Sequence, residues 1–368
     1  MTMYFDKENK RQFTYRVVTM VMFAVAVLTL CMRMIVGSLG FLSDRAIDAI
    51  FSVTVQVGVF LLLPFLVYRF LLKKDMKQIA EFSSVKKIKW YYLVIAVGVG
   101  FCVFIATIGI STVWQNIIAI LGYKHSSSPT VFPEKFNAGL FVVDMILTAV
   151  LPAICEEFLI RGGVLTTMRA SFTYVALLVL MGIIFGLFHQ NITQVFYTSL
   201  FGALMAFLTV KLNSIFPAMI IHFINNGTSV YLDYAENYGW KAGGGFFDTV
   251  NAGLQSDPMQ VLAIYVLVVL IGAGLVALML ILKKRENLKK QKEVILDSGY
   301  DQTNHRVVMF GEENKSFVEE IGMEKAVYGD AYSPDEGYAV KVRDNAFILG
   351  ALAVTVLSTV ATFIWGLF

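Results

Sequence analysis

The chain has 368 residues, of which 57% are hydrophobic and only 15% are charged, and its formal net charge is +3. A soluble globular domain usually carries about a quarter charged residues, so this composition excludes a soluble protein and indicates a polytopic integral membrane protein. Lysine and arginine collect in two short stretches between apolar runs instead of forming a surface groove, which argues against a nucleic-acid partner.

Apolar segments follow one another along almost the whole chain. A spanning helix needs about 20 mostly apolar residues, and the sequence offers nine candidates, at residues 15–36, 47–72, 90–121, 138–168, 174–189, 194–212, 215–232, 259–282 and 346–368. We therefore predict an all-α fold, a transmembrane helical bundle of about nine spans.

The predicted spans divide the chain into five parts. Residues 1–137 hold three accessory spans, 138–232 form a core of four spans, and 233–282 comprise an outer loop and the eighth span. Residues 283–344 turn polar and charged, and we interpret them as a cytoplasmic insert that is partly disordered. Residues 345–368 form the final span. Three polar stretches, at residues 44–48, 124–137 and 233–257, are interpreted as exposed outer loops.

The loops predict the orientation of the chain in the membrane. Lysines cluster within residues 73–89 and again within 283–292, and an excess of lysine marks the cytoplasmic side of a membrane protein. A count of nine spans returns both clusters to the side of the amino terminus. We predict a multi-pass protein of the cell membrane with a cytoplasmic amino terminus and an external carboxyl terminus.

The fourth predicted span carries Glu156, Glu157 and Arg161. An ionisable group in hydrocarbon costs about 2.5–3.5 kcal/mol on insertion scales, so each one suggests a function. Glu157 and Arg161 are four residues apart and share a helix face, where they can form an ion pair. Glu156 points about 100° away from Glu157 and is free to face a cavity.

The fifth and seventh predicted spans carry two of the chain's four histidines. His189 ends span five, and in span seven His222 shares a face with Asn226. These polar groups could serve as hydrogen-bonding contacts between helices whose glycines, Gly182, Gly186 and Gly202, permit close approach. The whole set on three spans exceeds what packing needs, which favours catalysis.

The chemistry available to these residues is the activation of water. Glu156 and His189 together could deprotonate a water molecule, and His222 and Asn226 could donate to an oxyanion. Glu156, His189 and His222 would also suit zinc, but the H-E-x-x-H helix signature is absent, so metal dependence is undecided. The G-x-S-x-G motif that is typical of serine hydrolases is absent from the sequence.

Three motifs in order carry a family resemblance: E-E-x-x-x-R at Glu156, Glu157 and Arg161, F-x-x-x-H at Phe185 and His189, and H-x-x-x-N at His222 and Asn226. They resemble the CPBP family of intramembrane proteases, which groups the CAAX prenyl endopeptidases with bacteriocin-processing and self-immunity (Abi) proteins. The resemblance implies that Glu156 and His189 activate the water, that His222 and Asn226 hold the oxyanion, and that Glu157, Arg161 and Phe185 support them.

The resemblance leaves the substrate open. It implies an endopeptidase, of the metalloprotease type if zinc is bound, that cuts a peptide or a membrane-anchored protein tail, as a CAAX protease does or in bacteriocin processing or immunity. Two other functions stay open, namely a non-catalytic membrane scaffold or immunity factor, and a proton-coupled transporter that uses the same ionisable residues as a relay.

Overall fold

The computed structural model describes residues 2–39, 41–124, 132–169, 171–297, 300–301, 306–307 and 345–367. The described helices are α1 (Thr2–Gly37), α2 (Asp44–Leu71), α3 (Met76–Phe82), α4 (Trp90–Ile120), α5 (Ala138–Met168), α6 (Tyr174–Phe188), α7 (Ile192–Leu212), α8 (Phe216–Asn237), α9 (Phe246–Ser256), α10 (Pro258–Asp297) and α11 (Ala346–Trp365). Two short strands, β1 (Tyr300–Asp301) and β2 (Arg306–Val307), pair antiparallel. The predicted all-α fold class is confirmed.

Seven of the described helices are long and apolar enough to cross a membrane, namely α1, α2, α4, α5, α7, α10 and α11. They coincide with seven of the nine predicted spans and make this a multi-pass membrane protein. The other two predicted spans are also helical. However, α6 has only 15 residues, and α8, with 22 residues, carries several polar side chains and is not among the seven. The predicted number of nine is therefore approximate.

Two of the long helices contain a proline together with wider, π-helical turns. Pro64 lies in α2 between π-helical segments at Thr54–Leu62 and Val67–Leu71. Pro152 lies in α5 between π-helical segments at Ile146–Val150 and Phe158–Val164. Proline has no N–H to donate to the carbonyl four residues earlier, so each of these helices has a backbone acceptor without its usual partner.

The helices α6 and α7 form a close pair. A Cβ atom added to Gly186 would lie 2.0 Å from the Ser199 hydroxyl oxygen, and one added to Gly182 would lie 2.6 Å from the Ser199 carbonyl oxygen. Only glycine lets the two backbones approach this closely. At Gly202 an added Cβ would lie 2.6 Å from the Cβ of Phe185, so all three glycines named from the sequence stand at helix contacts.

The two lysine clusters lie at the same end of the bundle. Lys89, at the start of α4, forms an ion pair of 3.0 Å with Glu286 of α10. The second cluster is helical, because α10 continues through it to Asp297. Most of the predicted cytoplasmic insert, residues 308–344, lies outside the described residues.

Two predicted loops contain helix. The stretch 44–48, interpreted as an exposed connection, is the start of α2, which the side chain of Ser43 caps by accepting from the Ala46 N–H. The predicted outer loop at 233–257 begins inside α8 and contains α9. The predicted loop at 124–137 falls partly on residues 125–131, outside the described part of the chain.

Candidate active site

A cavity of about 500 Å³ lies between five helices, α4, α6, α7, α8 and α9, and touches α5 at Thr148. Three of the site residues proposed from the sequence line it, namely His189, His222 and Asn226. The fourth, Glu156, is not among the described residues that line the cavity. The sequence-based set is therefore brought together in part, by two helices, α6 and α8.

His189 is held by the end of its own helix. The last turn of α6 tightens, and the backbone N–H of His189 donates to the Gly186 carbonyl three residues earlier. The Phe185 carbonyl, four residues earlier, is then one of the unpaired acceptors of a helix terminus. The Nδ1 atom of the His189 ring lies 2.9 Å from it. Because a carbonyl only accepts, Nδ1 carries the proton, and in the neutral ring Nε2 keeps its lone pair.

His222 is held by a buried carboxylate. Its Nδ1 atom lies 2.9 Å from Oε1 of Glu157, and the same oxygen accepts from Nη1 of Arg161 at 2.8 Å. Glu157 and Arg161 are fully buried, and His222 is 2% exposed. The ion pair that the four-residue spacing suggests is therefore present. It also reaches a second helix, because the carboxylate binds the ring of His222 on α8.

Phe185 packs among these charged and polar groups. The guanidinium carbon of Arg161 lies 4.0 Å from the centre of its ring, a distance at which a cation is attracted to an aromatic face. The rings of His189 and His222 meet the same phenyl group at 5.0 and 5.8 Å between centroids, nearly perpendicular to it. Phe185 thus contacts the buried arginine and both imidazoles.

Asn226 is anchored by the irregularity in α5. Pro152 leaves the Thr148 carbonyl without its usual helical donor, and Nδ2 of Asn226 donates to that carbonyl at 3.0 Å. Since Thr148 offers only an acceptor, Oδ1 of Asn226 faces the other way and accepts from Nδ2 of Asn225 at 3.0 Å. Oδ1 of Asn225 then faces Thr107 and accepts from its hydroxyl at 3.2 Å.

This chain of hydrogen bonds has one direction, set by the Thr148 carbonyl. One amide hydrogen of Asn226 is committed to that carbonyl, and the second is left for the cavity. The Thr107 hydroxyl also lies 2.8 Å from the Phe104 carbonyl, so its single hydrogen is shared between two acceptors. The contact between Thr107 and Asn225 is therefore the weakest of the three.

Glu156 lies beside the cavity wall and is half-buried. Its Oε1 atom accepts from Nε2 of Gln56 on α2 at 2.7 Å. Glu156 and Glu157, although adjacent, therefore bind different partners on different helices. The structure describes no hydrogen bond between Glu156 and His189, but the two lie close enough for the carboxylate charge to act on the ring.

The zinc possibility requires Glu156, His189 and His222 to share one ion. Among the side chains that the structure describes, no group of three His, Cys, Asp or Glu residues is placed to hold a metal ion. The three residues do not form a ligand set in this arrangement, and we derive no step through a metal. Metal dependence, which the sequence leaves undecided, can be tested by chelation.

At the level of class, the described helices and the cavity define a multi-pass membrane protein with a polar site between its helices. Residues 138–228 match the family model described as type II CAAX prenyl endopeptidase Rce1-like. The match covers about a quarter of the chain and includes all three sequence motifs. The predicted resemblance to the CPBP family is thereby confirmed over this segment. The searches of curated proteins and of solved structures found no match to the chain.

Proposed function

We propose that this protein is an intramembrane endopeptidase that hydrolyses a peptide or the tail of a membrane-anchored protein. The observation that supports this most is the arrangement of His189 and His222, two imidazoles on separate helices. Each is held at Nδ1 by an acceptor outside its ring, and both line the same cavity as the Asn226 amide. The match of residues 138–228 to a prenyl endopeptidase family supports the same reaction class.

In this proposal His189 is the base. Its Nδ1 hydrogen is committed to the Phe185 carbonyl, so the lone pair on Nε2 can take a proton from a water molecule as that water attacks the scissile carbonyl carbon. The nearby carboxylate of Glu156, oriented by Gln56, stabilises the imidazolium that forms. His189 then gives the proton to the leaving nitrogen, and one water is consumed to yield a carboxylate and an amine.

The negative charge on the tetrahedral intermediate is stabilised by Asn226 and His222. Asn226 donates its second amide hydrogen, because the first is bound to the Thr148 carbonyl. His222 donates from Nε2 when its ring is an imidazolium, since Nδ1–H faces the Glu157 carboxylate. The Glu157 carboxylate, 2.9 Å from Nδ1, interacts favourably with that cation.

The first substrates to examine are CAAX-type prenylated tails, because a family of prenyl endopeptidases matches this segment. Unprenylated tails and bacteriocin-like peptides are the alternative class within the same proposal. Both are reached from the bilayer or its surface, in accord with a site that lies between apolar helices.

The test compares purified wild type with Glu156→Gln and His189→Gln on prenylated and unprenylated reporter tails, with products identified by mass spectrometry. Glu81→Gln is the control, because Glu81 is exposed on α3. We expect wild type and the control to cleave and the other two variants to lose cleavage. Loss of activity in a chelator, with recovery in zinc, would establish metal dependence.

Two sets of results would refute the proposal. If wild type and all variants are inactive on every tail yet equally restore a cellular phenotype, the chain acts as a membrane scaffold or immunity factor. Proton-coupled transport by reconstituted wild type that fails in the same two variants would instead favour the transporter.

A further inference from the structure

Helices outside the family match contact the turn that carries His189. The matched segment ends at residue 228, whereas α1 precedes it and α11 lies far beyond it. These two helices pack together, with Tyr15 donating to the side chain of Asn345 at 2.9 Å. Both reach the short connection between α6 and α7, which consists of His189, Gln190 and Asn191.

Gln190 has an uncommon backbone conformation for its residue type. Its φ angle is +49°, in the left-handed region that side chains other than glycine, asparagine and aspartate rarely adopt. Gln190 is 1% exposed, so the reversal from α6 to α7 is made by a buried residue. A conformation of this kind persists only where the surrounding structure holds it.

The side chain of Gln190 is held from both accessory helices. Its Nε2 atom donates to the Ala26 carbonyl of α1 at 3.2 Å, and its Oε1 atom accepts from the Ser358 hydroxyl of α11 at 3.3 Å. The Ala26 carbonyl can only accept, which fixes the orientation of the amide and leaves the oxygen for Ser358. In addition, Arg33 of α1 donates to the Gln190 carbonyl at 3.5 Å.

The first residue of α7 is held in the same way. Ile192 has one of the unpaired N–H groups of a helix start, and it donates to the Thr362 hydroxyl oxygen of α11 at 3.0 Å. The Thr362 hydroxyl donates in turn to the Thr359 carbonyl at 2.7 Å, so it acts both as an acceptor and as a donor. The Ile192 carbonyl accepts from the indole of Trp114 at 2.6 Å.

We propose that α1 and α11 fix the position of His189 through this turn, with Gln190 and Thr362 as positioning residues for the proposed reaction. The ring of His189 reaches the Phe185 carbonyl only because the helix ends at this point and the chain reverses there. If the turn relaxes, the ring rotates away from that carbonyl, and Nε2 loses its place in the cavity. The final helix, α11, thereby helps to position a residue of the site, although the family match does not include this helix.

The test substitutes Thr362 by valine, which has the same shape and cannot accept from Ile192. The matched control is Thr355→Val on the same helix, because the hydrogen bonds that the structure describes for the buried Thr355 hydroxyl go to carbonyls of its own helix, at Ala351 and Leu352. Thr362→Ser keeps the hydroxyl. We expect kcat to fall on the order of tenfold in Thr362→Val with KM within twofold, since small misplacement of a catalytic group costs up to about a hundredfold. The control and the serine variant should match wild type.

A second measurement separates this proposal from the proposed function, on which its catalytic meaning rests. The chain has four histidines, so carbon-labelled histidine in detergent-solubilised protein gives few ring signals, and His189→Gln identifies one of them. We expect that signal to shift in Thr362→Val and to stay in place in Thr355→Val and Thr362→Ser. A shifted signal in a protein that cleaves nothing would refute the endopeptidase and keep the positioning role. An unmoved signal, or equal effects of both valine variants, would overturn the positioning role itself.

Discussion

Replacement of Glu157 by glutamine tests whether this residue stabilises the fold around the site, in addition to any effect on cleavage. Glu157 is fully buried, and one of its oxygens accepts from both Arg161 and His222. Glutamine keeps the size of the side chain and one acceptor oxygen but removes the charge. Arg161, itself fully buried, would lose its charged partner but keep its contacts with the Gly202 carbonyl at 3.3 Å and the face of Phe185.

The size of the effect follows from the burial of this pair. Removal of one partner of a buried ion pair usually destabilises a protein by about 3–5 kcal/mol, while hydrogen bonds between membrane helices contribute about 0.6–2 kcal/mol. Since glutamine still offers one acceptor, we expect Glu157→Gln to lower the free energy of unfolding by about 3 kcal/mol. Glu156→Gln should lower it by less than about 1 kcal/mol, because the half-buried side chain can still accept from Gln56.

The assay is equilibrium unfolding in mixed detergent micelles, followed by the fluorescence of the chain's four tryptophans. We expect both glutamine variants to lose cleavage while only Glu157→Gln loses stability. A double variant with Arg161→Gln should be less destabilised than the sum of the single variants, because the two residues act as one pair. Equal stability of the two glutamine variants, or strict additivity in the double variant, would refute this reasoning.

Two further predictions concern packing and the asparagine pair. Gly186→Ala should lower the free energy of unfolding by about 1–3 kcal/mol. The added Cβ would meet the Ser199 hydroxyl at 2.0 Å and a backbone carbonyl at 2.5 Å. Thermal unfolding measures the loss, with Gly274→Ala as the control because its Cβ enters open space. Asn225→Leu should lower kcat on the order of tenfold with KM unchanged, because Asn226 loses the donor that orients it; steady-state kinetics that show only a raised KM would contradict this.

Much of the fold could be predicted because the length and apolarity of a span are properties of one stretch of sequence. Seven predicted spans match helices that meet the same length and hydropathy requirement. The start of α2 at Asp44 and the whole of α9 were interpreted as loop, since the first turn of α2 is polar and α9 is too short to form an apolar run of spanning length. The π-helical turns around Pro152 depend on how α5 packs, and no local pattern predicts them.

The candidate site also has parts that the sequence predicts and parts that only the packed structure shows. His222 and Asn226 stand four residues apart, so their shared face follows from helix geometry alone. The contact between His222 and Glu157 joins residues 65 positions apart, and only the packed bundle shows it. Gln56 and Asn225 were missed because a neutral amide in an apolar run is a weaker signal than a charge, although each binds a residue that the motifs had identified.

The helices that carry the two histidines have a consequence for how the protein is made. The helix α6 is short and α8 is polar, and neither passes the requirement that seven other helices meet. Segments of this kind partition poorly into a bilayer by themselves and are expected to enter it together with their apolar neighbours. Completion of the fold and completion of the site would then be the same event during biogenesis, so a partly inserted chain would lack the proposed hydrolytic activity.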